Sequence, residues 1–379
     1  MSKAAVSIRR CFAGLRDPRR EHGRLHRLWD IVALTICAVV SGADSWVEVE
    51  LYGHRKRPWL ETFLELPHGI PSHDTLGRVF ALLDPAAFQD CFLAWVRALA
   101  EATSGRLIAI DGKTLRHSFD AAGGQGALHL VSAWAAENHL ALGQRAVDGH
   151  SNEITAIPEL LKILDLEGAV VTLDAMGCQR AIAAQIHDAG GDYVLTLKEN
   201  QGTLYDDVHR LFVEGLGNDF AGLEPRCLQT TDEGHGRRES RHYYVVAVPA
   251  ALAERHAGWQ GLRSLGMVFS ERQVGEAEPS GETRFFISSL PPRVKAFAGA
   301  VRGHWGIENG LHWVLDVAFR EDDSRLRLGH GPENLALVRR LAASLLHNEE
   351  TAKGGVGSKR KQAGWDNEYL LAVLGASLK

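Results

Sequence analysis

The chain has 379 residues, enough for two or three domains with cores of their own, and its 42 basic against 47 acidic residues give a net charge of −5. That balance excludes a protein that is basic all over; nucleic-acid binding would depend on where the basic residues lie. The five cysteines form no C-x-x-C pair, which argues against a zinc ribbon or disulfide frame and fits a reducing cytoplasm.

The first hundred residues read as a small helical domain. Its opening, residues 1–29, carries Lys3, Arg9, Arg10, Arg16, Arg19, Arg20, Arg24 and Arg27 against only Asp17 and Glu21. The start MSKAAVSIRR lacks the apolar stretch of a signal peptide. The apolar run around Ile31–Val40 is too short to span a bilayer, so no membrane is expected. A helix over LHRLWDIVALTICAVVSGA is followed by an amphipathic pattern expected to break at Pro58. Ser72 is an N-cap candidate and Pro85 a stop.

At Arg106 the period changes. LIAID reads as a strand running into a turn at Gly112. ALHLVSAWAAENHLALGQRAV reads as a hairpin turning near Glu137-Asn138. A helix over NEITAIPELLKIL, a buried strand VVTLD, a helix over CQRAIAAQIHDAGG and a strand DYVLTL follow. The alternation predicts a mixed α/β sheet flanked by helices. Two hairpins with Gly- and Glu-rich turns fill much of 206–291. A helical pattern returns from Val294 to Glu321, then another over ENLALVRRLAASLLHNEE, and GGVGSKRKQAG reads as a flexible basic linker.

Three carboxylates stand out. Asp111 and Asp174 each end an apolar strand, where sites form in α/β sheets. If the strands are neighbours the two charges repel, and a divalent cation removes that cost. In HWGIENGLHW, Glu308 lies at the margin of a stripe formed by Ile307, Leu311, Val314 and Ala318. His304, Glu308 and His312 cannot form a one-helix zinc triad, because the outer two are about 12 Å apart along an axis rising 1.5 Å per residue. Two aspartates and a late glutamate suit two Mg²⁺ ions, with Mn²⁺ able to substitute, in phosphodiester displacement. Lys113, Arg116, Lys198, Arg302, His304 and His312 are placed to contact phosphate.

The motifs IAIDGKTLRHS, SNEITAIPELL, VVTLDAMGCQ, GGDYVLTLKENQ and RGHWGIENGLHWVLDVAFRED resemble, in order, those of the H-repeat-associated (ISAs-type) insertion-sequence transposases. FAGLRDPRREHGRLHRLWDIVAL and LPHGIPSHDTLGRVFALLDP resemble that family's associated N-terminal domain. The resemblance runs from about Phe12 to His347. It implies a DDE enzyme with a ribonuclease-H-like core, in which Asp111, Asp174 and Glu308 form the metal-binding triad. It also implies a strand-rich insertion between the second Asp and the Glu. Related transposases carry a Tyr, Arg, Glu, Lys signature on the last helix. Here His304 stands four before the Glu and Leu315 seven after, so Arg302 and His312 are the candidates for similar work. His150 stands where a Lys is usual and Cys178 where a Thr is usual.

The expected organisation is a helical domain over 1–103, a catalytic core over 104–205 and 292–350, a β-rich insertion over 206–291, and a basic linker with a short helix over 351–379. The expected activity is cleavage of transposon ends and joining of the 3′-hydroxyl to target DNA. The partners would be double-stranded DNA, as terminal inverted repeats and target, and a second copy of the chain. The site would be the bacterial cytoplasm, nucleoid-associated when bound. A DNA-binding but catalytically silent relative, or a nuclease that cuts without joining, are the alternatives.

Overall fold

The computed structural model describes residues 8–100, 107–119, 126–147, 152–234 and 236–375; Lys3 and His150 lie outside them. Among the described residues the strands are β1 (Leu107–Thr114), β2 (His129–Ala135), β3 (Leu140–Ala146), β4 (Val170–Leu173), β5 (Asp192–Leu197), β6 (Arg226–Gly234), β7 (Arg237–Ala247), β8 (Ser264–Val274) and β9 (Ser280–Ser288). The chain forms two compact units, one of Met1–Gly105, Gly112–Asn152 and Ile307–Lys379, the other of Arg106–Asp111 and Glu153–Gly306. No single helix among the described residues is long and apolar enough to cross a membrane.

In the second unit the strands lie in the order β1-β4-β5-β9-β8-β7-β6. The first three are parallel, with Ile110 opposite Leu173 and Leu173 opposite Leu195. The rest are antiparallel, beginning with β9 against β5. This is the expected large mixed sheet, and the strands of 206–291 continue it. VVTL of β4 has no polar alternation because helices cover the parallel strands; its last three residues are buried. Helix Arg180–Asp188 packs on β5, and Val294–Ile307 closes on β8 through Gly266, where a Cβ would lie 2.3 Å from the Phe297 ring. Helix Gly202–Gly217, not foreseen from sequence, packs on β9. Its charged face and terminal glycines masked the apolar stripe of Leu204, Val208 and Phe212.

In the first unit, helix Gly331–Asn348 is buried along most of its length and packs on Leu28–Val40, on His73–Leu82 and on β3. Asn334 donates to the carbonyls of Phe80 and Leu83 at 2.8 and 2.9 Å, serving acceptors that the end of helix His73–Leu82 leaves open. Arg340 pairs with Glu321 at 3.0 Å with both side chains fully buried. The β2–β3 hairpin turns where expected.

Three expectations need correction. Helix Trp46–Leu60 runs through Pro58, because the carbonyl its missing N–H would have bonded belongs to exposed His54, open to water. β1 does not turn at Gly112 but continues to Thr114. The stop expected at Pro85 holds, and helix Pro85–Ala100 opens there. The basic linker is in fact helix Val356–Trp365, and two of its charges, Lys359 and Arg360, are buried while Lys361 is exposed. Lys359 donates to the carbonyls of Leu346 and Glu349. Arg360 donates to Val39 O (2.8 Å), Ala43 O (2.9 Å) and Asp44 (2.7 Å), and lies over the Phe319 ring. Glycine-lysine composition signalled solvent, whereas the carbonyls waiting for these cations lie in distant sequence.

The Val294–Glu321 helical pattern holds with an irregularity. An α-helix to Ile307 gives way to a π-turn, Glu308–His312, before Trp313–Phe319 resumes. The wide turn shifts the apolar stripe. Ile307, Leu311 and Val314 are buried as expected, but Leu315 and Phe319 are fully buried beside them, while Ala318 stays partly exposed.

Candidate active site

Asp111 and Asp174 are brought together by the sheet. β1 and β4 are parallel neighbours whose last paired residues are Ile110 and Leu173, so each aspartate is the next residue out at the same end. Asp111 lies on β1 itself; Asp174 heads the turn beyond β4. In that turn Oδ1 of Asp174 accepts the backbone N–H groups of Met176 (3.0 Å) and Gly177 (3.1 Å), which leaves Oδ2 for a ligand. Burial raises the Asp174 carboxyl above the usual range, opposed by the Gly177 bond and reinforced by the charges of Glu153 and Asp111. Glu153, first residue of helix Glu153–Leu161, is a neighbour that sequence reasoning passed over. Its signal was present: an acidic residue opening a helix in the SNEI motif.

A cavity of about 740 Å³ opens beside Asp174. Tyr205 and Phe285 form an apolar wall, and Lys198 and Arg284 supply cations. Lys198 is exposed. Arg284 donates twice to Glu282, at 2.8 and 2.9 Å, and lies over the Trp305 ring at 4.6 Å. Those hydrogen bonds hold Glu282 below the ordinary carboxylate range, with burial opposing and Lys198 assisting. Arg284 and Tyr205 carried no motif; only their fold neighbours mark them. Arg302 is exposed and pairs with Asp232 at 3.0 Å, and His304 Nδ1 lies 3.0 Å from the Thr172 hydroxyl.

In the first unit Glu308 is exposed and opens the π-turn, with half-buried His312 closing it and exposed Trp313 after it. Lys113 differs from expectation. It is buried, and its ammonium donates to Asp316 (2.7 Å) and Asp322 (2.9 Å), so its charge is spent internally rather than offered to phosphate. Arg116 is exposed with Asp322 at 3.3 Å.

Two carboxylates just beyond the last paired residues of neighbouring strands, one with its ionised form disfavoured, offer the oxygen donors that a hard divalent cation takes. Among the described residues no group of three or more His, Cys, Asp or Glu side chains is gathered so as to hold a metal ion. The pair therefore supplies the chemistry of such a site without completing it.

Against known families, the profile described as "Transposase DDE domain" matches residues 102–346, and "DDE_Tnp_1-associated" matches 9–96. The chain is 43% identical to "Putative transposase YncI" of Escherichia coli O157:H7, covering 94% of this chain and 91% of that one. It is 40% identical to "H repeat-associated putative transposase YhhI" of Escherichia coli strain K12, covering 93% of each. The cryo-EM structure of a piggyBac transposase synaptic complex with hairpin DNA aligns over 98% of this chain and 77% of that chain, with a TM-score of 0.42 and 10% identity, too low to bear on function.

Proposed function

Because the chain belongs to the family of transposases with a DDE domain, we propose that it is the DNA transposase of an insertion sequence, cutting the element's ends and joining the freed 3′-hydroxyls to target DNA. The observation that carries the reading is the placement of Asp111 and Asp174 at the same end of two neighbouring parallel strands. Asp111, Asp174 and Glu308 would hold two Mg²⁺ ions, with Mn²⁺ able to replace them. Bound there, such ions neutralise charge at the scissile phosphate and make an attacking oxygen more nucleophilic.

The chain's own residues do the rest. The backbone N–H groups of Met176 and Gly177 fix one oxygen of Asp174 and set the direction of the other. Lys198 and Arg284 line the cavity beside it and orient strand phosphates. Arg116, Arg302, His304 and His312 add contacts to double-stranded DNA. Lys113 acts indirectly, by anchoring the end of β1 to Asp316 and Asp322. The exposed Arg9, Arg10, Arg16 and Arg20 bind the terminal repeats. Strand exchange needs two ends held together, so the working form is a homodimer on DNA in the bacterial cytoplasm.

The test is a labelled element end incubated with the full chain and Mg²⁺ or Mn²⁺, scored for cutting and for joining. Asp111→Asn is expected to lower both by on the order of 10³-fold, equivalent to several kcal/mol of lost stabilisation, while end binding persists. Wild-type cleavage by the variant overturns the assignment. Cutting without joining makes the protein a nuclease, and binding without cutting makes it a silent relative.

A further inference from the structure

The π-turn that begins at Glu308 is gripped from several sides within its own unit. Nε2 of His347, near the end of helix Gly331–Asn348, lies 3.0 Å from the Gly310 carbonyl oxygen. The ring of Trp134, on β2, lies 3.2 Å from where a Cβ on Gly310 would stand. The His139 ring, in the β2–β3 turn, stacks on His347 with centroids 5.0 Å apart and planes 14° apart. Asn348 donates to the Asn138 carbonyl at 3.1 Å, tying that turn to the helix end. Burial pushes the His347 imidazole down to about 4, against the pull of the Gly310 bond, so the ring is neutral near pH 7. A neutral ring has one N–H, and the nitrogen facing a carbonyl carries it.

This arrangement bears on register. A π-turn bonds i to i+5 and occurs mostly as a single turn inside an α-helix, often at functional sites. A donor from outside the helix, aimed at a carbonyl in the middle of the turn, stabilises the wide form. A glycine at that position lets the Trp134 ring approach the backbone.

We propose that His347 is a positioning residue for the Glu308 carboxylate: its Nε2–H on the Gly310 carbonyl, with Trp134 against Gly310, holds the π register that presents Glu308. The proposal rests on the reading of Glu308 as a catalytic ligand.

His347→Phe keeps a stacked ring and removes the donor; His347→Gln restores one. Leu341→Ala, on the same helix, is the control for lost stability. Amide hydrogen exchange over 308–314, measured without DNA or metal, reads the turn. The kcat and KM for cleavage of a labelled end read its consequence. In His347→Phe, exchange is expected to rise about tenfold and kcat to fall about tenfold, with KM within about twofold, the scale of one hydrogen bond. His347→Gln recovers most of both, and Leu341→Ala shifts neither at temperatures well below its Tm. Should His347→Phe fail to fold, Trp134→Phe, which keeps the donor and shrinks the ring against Gly310, is expected to show the same faster exchange over 308–314. Unchanged exchange in the variants, or a His347→Phe profile matching Leu341→Ala, overturns the proposal. Exchange that responds in a chain whose wild type cuts nothing defeats the functional reading instead, and leaves the grip on the turn standing.

Discussion

Asp111 and Asp174 each follow the last paired residue of two neighbouring parallel strands, whereas Glu308 opens a π-turn. The strand ends are set by a hydrogen-bonded ladder that any apolar β-former maintains, so their geometry tolerates change in neighbouring side chains. The turn has its own backbone bonds, such as Trp313 N–H to the Glu308 carbonyl, but what selects that register is Gly310, Trp134 and His347, which come from three separate stretches of chain. One candidate ligand pair is therefore held by backbone pairing and the other candidate by side-chain packing. The two regions should differ in how far away a damaging mutation can lie.

Substitutions in each region test that difference. Lys113→Met, at the strand end, is expected to cost about 2 kcal/mol in urea unfolding, since it strands Asp316 and Asp322 beside one another, with their partial exposure softening the loss. The salt dependence of DNA affinity should not change; a slope smaller by about one would return Lys113 to the role of a phosphate contact. Gly310→Ala, in the turn, is expected to cost about 1 kcal/mol net, since crowding against Trp134 outweighs the gain in helix propensity. Its cleavage rate should fall even where the chain is fully folded, and full activity would show that the turn accommodates a Cβ without moving Glu308.

The smallest effect is a gain. The Asp174 carboxyl is raised in the folded chain, so the folded state binds the proton more tightly than the unfolded one does. Its contribution to stability is then full below the ordinary value of 3.8 and is lost as pH rises through the folded value. Asp174→Asn keeps an oxygen for the Met176 and Gly177 N–H groups and removes that loss. Thermal melts should show a Tm higher by about a few degrees at pH 7, the advantage fading as pH falls toward the ordinary value. A lower Tm at pH 7 would mean that the ionised carboxylate stabilises the turn.

Much of the strand architecture was legible. LIAID and VVTLD are apolar runs that stop at a carboxylate, and ENHL and EGHG mark hairpin turns through residues that tolerate positive φ, as His139 and Gly236 do. The π-turn was not legible, because HWGIENGLHW has ordinary helical spacing and what widens it lies on β2 and at the end of helix Gly331–Asn348. The indole that Gly310 admits, Trp134, lies far upstream in the sequence. Lys113 and Arg360 were misjudged for a related reason: a charge reads as solvated until its buried acceptors are known.

The Arg360 contacts have a bearing on how the gene product matures. This guanidinium closes helix Leu28–Val40 by bonding Val39 and Ala43, 321 and 317 residues upstream. On the ribosome every segment of the unit containing Glu153–Gly306 emerges before Ile307–Lys379, a segment that the other unit needs. A form of the chain shortened to end before Val356 would retain Asp111, Asp174 and Glu308 yet leave those carbonyls without their donor. Such a form would fail first in folding, with every candidate metal ligand still encoded.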